Sequence, residues 1–361
     1  MSFQMASRFL SSIEPTAMKL IQTLDPETAH ILALLLLKCS NGFRNEIESF
    51  DRLRTQVAGI DLKNPIGLAA GFDKNAFLLP SIFKMGFGFV EVGGVTVKPQ
   101  RGNPKPRIFR LKDENAIINH LGFNNIGMEK INKRLEDFAK RNVIGLNIGV
   151  NRNSSDRASD YNKVLIKCGD NLHFATINIS SPNTKKLREL QQSEYLKDLL
   201  SQIRETKMNL STQIKVFLKI SPDLEYRDLE KIANLCRAHG IAGIVATNTT
   251  ANFNQIINRG NISIGGLSGI PLFKKSTQVL ARIASITEGE IPLIGVGGIA
   301  SGKDAFIKIS AGASAVQLYT ALIYKGPSLV LKILADLNEI LLSYGFHNVE
   351  EAVGINKHNL L

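Results

Sequence analysis

The sequence predicts an α/β protein, a (β/α)8 TIM barrel carrying a small N-terminal α-helical hairpin. Three observations predict it. From about Asp61, short β-rich apolar runs alternate with stretches of helical periodicity, the pattern of βαβ units and a parallel sheet. Eight such runs occur, at 65–70, 87–96, 142–149, 174–180, 216–221, 243–249, 291–298 and 315–320, and eight units in one chain favour a closed barrel over an open sheet. The runs also end alike, in polar or glycine-rich clusters, as the C-terminal rim of a barrel does where it carries a site.

Taken in order, residues 1–45 differ in kind from 46–361. Phe9, Ile13, Ala17, Leu20, Ile21 and Leu24 recur at three- to four-residue spacing and predict one amphipathic helix. Asp25 is a natural N-cap and Pro26 suits a first helical position, so a second helix starts there and runs through Ala29–Leu37, apolar nearly all round. Such a hairpin either packs on the main domain or lies in a membrane interface. The longest purely apolar run, Ile31–Leu37, is far below the roughly 20 residues that span a bilayer, and nothing resembles a cleavable signal. Beyond the hairpin, helical stretches at 126–140, 193–208, 226–239, 302–311 and 326–344 separate the strands.

Hydrophobic residues make up 44% of the chain and charged ones 21%, enough for a sizeable core. Cys39, Cys168 and Cys236 are scattered and odd in number, which excludes a disulfide framework or zinc site and predicts buried, inert thiols. The net charge of +12 invites an anionic partner, but residues 1–50 hold four basic and five acidic side chains and form no polybasic arm. The densest basic stretch is Lys98, Arg101, Lys105, Arg107, Arg110 and Lys112, readable as a solvated loop or as an anionic-surface contact.

Each strand end carries chemistry. Gly295-Val-Gly297-Gly298 ends the seventh run, Tyr319-Thr320 ends the eighth, and Gly265-Gly-Leu-Ser-Gly269 could close the same pocket from the preceding loop. A lone Gly-Gly is more often a tight turn, whereas three glycine-rich loops let backbone N–H groups approach a phosphate. No G-x-G-x-x-G opens a helix near the start, so the cofactor is not a Rossmann ligand. Asn119, Asn147, Asn178, Asn183 and Asn248 fall at or near strand ends. Single asparagines usually form turns, but five on one rim can read the alternating C=O and N–H edge of a ring imide. Lys74 and Lys219 add positive charge for a carboxylate or an anionic flavin. Ser181 sits just past a strand before Pro182, and no Gly-x-Ser-x-Gly context makes it a hydrolase nucleophile.

Over nearly its whole length the chain resembles the class 2, quinone-dependent dihydroorotate dehydrogenases. The matching segments are Leu24-Asp-Pro-Glu-Thr-Ala-His30, Asn64-Pro-Ile-Gly-Leu-Ala-Ala-Gly71, Asn119-His-Leu-Gly-Phe-Asn-Asn125, Asn178-Ile-Ser-Ser-Pro-Asn183, Ala246-Thr-Asn-Thr-Thr250 and Gly265-Gly-Leu-Ser-Gly269. The resemblance implies oxidation of dihydroorotate to orotate, with FMN as hydride acceptor and a membrane quinone as terminal acceptor, in pyrimidine biosynthesis. It implies Ser181 as the base, where soluble class 1 relatives carry cysteine, with Thr184 as proton relay. It places Lys74, Asn119, His120, Leu121, Gly122, Phe123, Asn178, Asn183, Asn248 and Thr249 on the substrate. FMN falls to Ala70, Gly71, Phe72, Asp73, Lys74, Gly94, Asn147, Asn178, Lys219, Thr247, Gly269, Gly298, Tyr319 and Thr320. His30 and Arg110 border the quinone tunnel beneath the hairpin. No metal and no nucleic acid is implied, and a monomer is expected.

Four positions depart from the family pattern. Gly94 stands where many relatives have threonine and His120 where arginine is common. Val150 replaces a frequent lysine and Lys185-Lys186 replaces Pro-Gly. The lack of an Arg-rich presequence favours a bacterial protein, peripheral on the cytoplasmic face of the membrane. A tRNA dihydrouridine synthase is the runner-up, but it needs a cysteine at a strand-end site and leaves the hairpin without a role. A non-catalytic phosphate-binding barrel would leave Ser181 and the asparagines unexplained.

Overall fold

The computed structural model describes residues 14–39, 49–138, 142–184, 186–254, 256, 260 and 262–360. Counted in chain order, β1 (Thr55–Val57) and β2 (Ile60–Leu62) pair as an antiparallel hairpin. Then follow β3 (Ile66–Leu68), β4 (Phe89–Val95), β5 (Ile108–Leu111), β6 (Ala116–Asn119), β7 (Val143–Ile148), β8 (Phe174–Asn178), β9 (Lys215–Ile220) and β10 (Gly243–Ala246). The last three are β11 (Gly266–Gly269), β12 (Leu293–Val296) and β13 (Ala315–Leu318). A closed, all-parallel barrel runs β3-β4-β7-β8-β9-β10-β12-β13 and back to β3. All eight apolar runs of the sequence are its strands, because a parallel strand covered on both faces must be apolar almost throughout.

The outer layer comprises α3 (Leu79–Phe83), α4 (Met128–Glu136), α5 (Arg157–Cys168), α6 (Ser193–Met208), α7 (Tyr226–Ala238), α8 (Phe273–Thr287), α9 (Gly302–Ser310), α10 (Thr320–Lys325) and α11 (Leu329–Ser343). Helices α3, α5, α8 and α10 lie outside the helical stretches read from the periodicity. In α5 the start is fixed by Asp156, whose side chain accepts the Ser159 N–H.

One half of the barrel interior is packed solid. Phe89, Phe174 and Phe217 meet edge to face, with centroids 6.1 and 5.4 Å apart. Their rings fill the space where Gly67, Gly145 and Gly243 lack a side chain; a Cβ there would stand 2.3, 2.1 and 2.3 Å from ring carbons. This aromatic plug closes the N-terminal half of the bore, which leaves the C-terminal half for polar groups.

Two additions sit over that open end. β5, β6 and β11 form a separate antiparallel sheet, with Gly266 opposite Asn119 and Gly269 opposite Ala116. The segment expected to be a glycine-rich loop, Gly265–Gly269, is therefore mostly a strand. The second addition is helical: residues 14–21 (α1) and α2 (Pro26–Cys39). Asp25 caps α2 as expected, its Oδ1 accepting the Thr28 N–H at 3.0 Å. Residues 1–13 and 40–48, including Phe9 and Ile13, lie outside the described residues. The α2 helix buries Ala29 and Leu37 while Ile31, Leu32, Leu35 and Leu36 stay 37–52% exposed, so it packs on the barrel and keeps an outer apolar face.

Candidate active site

A cavity of about 530 Å³ extends from the C-terminal rim of the barrel to the two N-terminal helices. All the site residues singled out from the sequence line it except Asp73, His120 and Thr184.

Its floor is a chain of carboxamides pinned at both ends. Glu91, fully buried in β4, accepts Asn147 Nδ2 at 2.7 Å and Gln317 Nε2 at 2.6 Å. A carboxylate only accepts, so both amides must turn their NH2 groups to it. Asn147 Oδ1 then faces Asn178 Nδ2 at 2.9 Å, and Asn178 Oδ1 faces Asn248 Nδ2 at 3.2 Å. At the far end Thr249 N–H donates to Asn248 Oδ1 at 2.7 Å and Ser180 N–H to Asn178 Oδ1 at 3.3 Å. Acceptor-only carboxylate and donor-only backbone impose the same direction. The array presents fixed donors and acceptors to whatever occupies the cavity.

Above it lies the loop after β8. Ser181 is 8% exposed, and its Oγ accepts the Asn183 N–H at 3.3 Å. Asn183 Nδ2 donates to Asn119 Oδ1 at 2.8 Å, which joins this loop to the end of β6. His120 supports Asn183 from behind, with Nδ1 3.3 Å from Asn183 Oδ1. Arg188 donates to the carbonyls of Ser180 (3.0 Å) and Thr249 (2.9 Å) and pairs with Asp223 at 2.8 Å, tying together the loops that follow β8, β9 and β10.

The wall after β3 carries Lys74, whose Nζ donates to Gly71 O at 2.7 Å. Burial lowers its pKa to about 8, opposed by the nearby Glu27 carboxylate. Asp73 does not face the cavity. Its carboxylate accepts N–H groups of Asn75, Phe77 and Leu78, so it shapes the loop from within. His30, on α2, sits within ring contact of Phe72 and Tyr319, with its Nε2 2.9 Å from Phe72 O. Burial first, then the Lys74 charge, pushes its pKa down to about 3, so the imidazole is neutral at physiological pH.

The helical hairpin is held by three of the six clustered basic residues, with the exposed Lys105 ammonium 3.4 Å from the Glu27 carboxylate. Arg107, 7% exposed, grips Glu27 with two bonds of 2.6 and 3.1 Å. Arg110 donates to the carbonyls of Gln22 and Leu24, closing the turn between the helices. The solvated-loop reading is therefore wrong for Arg107 and Arg110.

On the opposite side, Gly297, Gly298, Tyr319 and Thr320 border the cavity beyond β12 and β13, and Thr320 Oγ1 donates to Ser268 Oγ at 2.9 Å on β11. Among the described residues Lys219 makes no hydrogen bond, although it is only 5% exposed. Burial lowers its pKa and Glu91 raises it. A buried ammonium that opens on a cavity and lacks a partner is a place for an electron-rich ligand.

Comparison with known proteins decides the family. A model of the dihydroorotate dehydrogenase family matches residues 52–341. The chain belongs to the dihydroorotate dehydrogenase family. It is 47% identical over 353 residues to a dihydroorotate dehydrogenase (quinone) of Cereibacter sphaeroides, covering 98% of this chain and 100% of that one. It is 43% identical to its counterpart in Bartonella tribocorum, covering 93% and 94%. The crystal structure of the Eimeria tenella enzyme in complex with ferulenol superposes with a TM-score of 0.88 at 36% identity, over 92% of this chain and 96% of that one.

As a dihydroorotate dehydrogenase, the chain gives physical reasons for two of its departures and shows the cost of a third. Gly94 has no room for a side chain, since a Cβ would stand 2.5 Å from Phe123 Cδ1. Val150 is fully buried and belongs to the core. Lys186 adopts φ +58°, a left-handed conformation that costs a non-glycine residue roughly 1 kcal/mol. Lys185 lies outside the described residues. Thr184 is off the cavity wall, its carbonyl accepting the Leu187 N–H, and its side chain makes no hydrogen bond to Ser181. Cys168 and Cys236 are buried, with thiols raised to about 12, but Cys39 at the end of α2 is exposed, contrary to expectation. Glu91, Gln317, Arg188 and the Glu27–Arg107 clamp were not singled out. Glu91 did leave a signal, a lone acid inside the apolar run Phe89-Val-Glu-Val.

Proposed function

We propose that this chain oxidises (S)-dihydroorotate to orotate, with bound FMN as hydride acceptor and a membrane quinone as terminal acceptor, in pyrimidine biosynthesis. The observation that carries the reading is Ser181, held by the Asn183 N–H inside a rim of asparagines whose donors and acceptors are fixed in direction. Asn119, Asn178, Asn183 and Asn248 pair with the imide edge of the substrate ring, and Lys74 holds its carboxylate. Ser181 Oγ takes the proton from C5. A serine hydroxyl is a weak base unaided, so the proton must leave through a relay, for which Thr184, three residues on, is the candidate. No cysteine lines the cavity among the described residues, which tells against a cysteine-dependent flavin barrel.

FMN fits the rest of the cavity. Its phosphate would lie on the Gly297–Gly298 and Tyr319–Thr320 loops, and its ring beside Asn147, Thr247 and the unpartnered Lys219. Bound there, FMN supplies the hydride acceptor for C6. The quinone would reach the site between α1 and α2, past His30 and Arg110. The exposed apolar face of α2 would seat the enzyme peripherally on the membrane, on its cytoplasmic side. No helix among the described residues is long and apolar enough to cross one.

Anaerobic mixing tests the reading. Dihydroorotate should bleach the flavin absorbance and a quinone should restore it. A protein without flavin absorbance, or a flavin that dihydroorotate leaves oxidised, would overturn the proposal.

A further inference from the structure

Lys308 is a buried lysine that the proposed chemistry does not use. It lies on α9 with no exposed surface, and it forms no salt bridge among the described residues. Burial pushes its pKa well below the ordinary lysine value, opposed by Asp304 one turn back on the same helix. Asp304 itself is engaged by the Ala300 N–H at 3.0 Å. From α8, Lys308 meets only neutral groups: the Phe273 ring, centred 5.1 Å away, and Ser276 Oγ, which accepts its Nζ at 2.6 Å. An uncompensated buried ammonium is costly, so either a packing need or a missing anion explains it.

The hydrogen bonds lead towards an anion. Ser276 Oγ, having accepted from Lys308, has one proton to give and two carbonyls within reach, Phe273 O of its own helix at 3.1 Å and Gly297 O at 3.2 Å. In a trans peptide the carbonyl and the next N–H point opposite ways. The Gly297 carbonyl faces Ser276, which turns the Gly298 N–H away from it. Gly298 lines the cavity, and its N–H donates to nothing among the described residues. With the Ser276 proton on Gly297 O, ammonium, hydroxyl, carbonyl and N–H form one polarised series in which each bond strengthens the next. The series ends at the glycine loop where the phosphate is expected.

We propose that Lys308 is a positioning residue for the cofactor phosphate. Through Ser276 and the Gly297–Gly298 peptide it makes the cradle select a phosphorylated flavin over the same flavin without its phosphate. The inference rests on the FMN reading above. The lysine does not touch the phosphate; it sharpens the backbone donor that does.

The test titrates the full-length chain, freed of flavin, with FMN and with riboflavin, following flavin fluorescence, in wild type, Lys308→Met and Ser276→Ala. In K308M the FMN affinity should fall roughly 10- to 100-fold, the range for one charge-assisted hydrogen bond, while riboflavin affinity stays the same. S276A should lower the FMN-to-riboflavin ratio in the same direction. K308M should also raise the unfolding temperature of the flavin-free chain, because an apolar side chain of similar length replaces a buried amine. Equal weakening of both flavins, no weakening of either, or a K308M chain that does not fold would mark Lys308 as structural and overturn the proposal. A wild-type chain that binds neither flavin would instead overturn the FMN reading itself.

Discussion

Replacing Glu27 with glutamine should uncouple the helical hairpin from the barrel without touching the carboxamide floor. Glu27 and Arg107 are 16% and 7% exposed, and two bonds join them. Removing one charge from a buried pair costs about 3–5 kcal/mol. Here Arg107 keeps the carbonyls of Arg101 and Asn103, and glutamine keeps one acceptor oxygen, so about 2 kcal/mol is expected. That is roughly a 30-fold shift in hairpin docking. Amide hydrogen exchange in α2 should accelerate by that factor, and quinone reoxidation of the reduced flavin should slow. Flavin reduction by dihydroorotate should not change. The hydrogen bond and charge of Arg107 hold Glu27 below the ordinary carboxylate range. The stabilisation is therefore present above the ordinary carboxylate pKa and is lost as pH falls through the lowered one, so wild-type docking should persist at pH 5 and fail only in stronger acid. Unchanged exchange in α2, or equal slowing of both half-reactions, would refute the clamp.

Three further outcomes are expected. Ser181→Ala should bind FMN normally yet lose most flavin reduction by dihydroorotate, about 100-fold or more for the loss of a positioned base; stopped-flow reduction at the wild-type rate would remove Ser181 from the mechanism. Because burial lowers Lys74 to about 8, its positive charge is complete below that pH and lost above it. Orotate affinity, read from the flavin spectrum, should therefore weaken as pH rises through about 8, and Lys74→Met should be weak and flat; a wild-type affinity independent of pH would contradict this. Gly145→Ala would place a Cβ 2.1 Å from the Phe174 ring and should cost about 1–3 kcal/mol in thermal or denaturant unfolding, and a neutral result would show that the aromatic plug yields.

What could be read from the sequence followed from local physics. The barrel strands announced themselves because burial on both faces leaves no alternation, and Asp25-Pro26 announced α2 because capping is a one-turn interaction. The β5-β6-β11 sheet did not. Its third strand, Gly-Leu-Ser-Gly, has the composition of a turn, and its partner lies at Ala116–Asn119, far away in sequence. Arg107 could be read only as part of a basic loop, and Arg110 only through the family resemblance, because an ion pair to Glu27 and a turn at Gln22–Leu24 are tertiary facts. Cys39 looked like a core thiol because small apolar residues usually are buried, yet α2 carries it clear of the barrel. The asparagines could be found, but the direction of their amides could not. That direction depends on Glu91 and Gln317 projecting from β4 and β13 into one bore.

The net charge of +12 is the feature that structure changes most. Charge near the site is balanced locally: Arg107 by Glu27, and Arg188 and Lys275 by Asp223. Lys219 has Glu91 as compensation, and among the described residues Lys219 and Lys308 are buried, and Lys74 partly buried, without a full hydrogen-bonded counter-ion. On the proposed reading these three face different parts of the ligands: a substrate carboxylate, the flavin ring and, through Ser276, the phosphate. The hairpin end of the same cavity is more apolar, with His30 held neutral beside Ala29, Ala33 and Leu37, while its charged groups are engaged: Arg110 on the Gln22 and Leu24 carbonyls, Glu14 by Ser328 and Lys325 on the Ala300 carbonyl. A cavity with incompletely compensated cations at one end and a mostly apolar mouth at the other favours an anionic substrate at the first and a hydrophobic one at the second. The bulk basicity belongs to the surface, and on the proposed reading the selectivity comes from three lysines largely withdrawn from water.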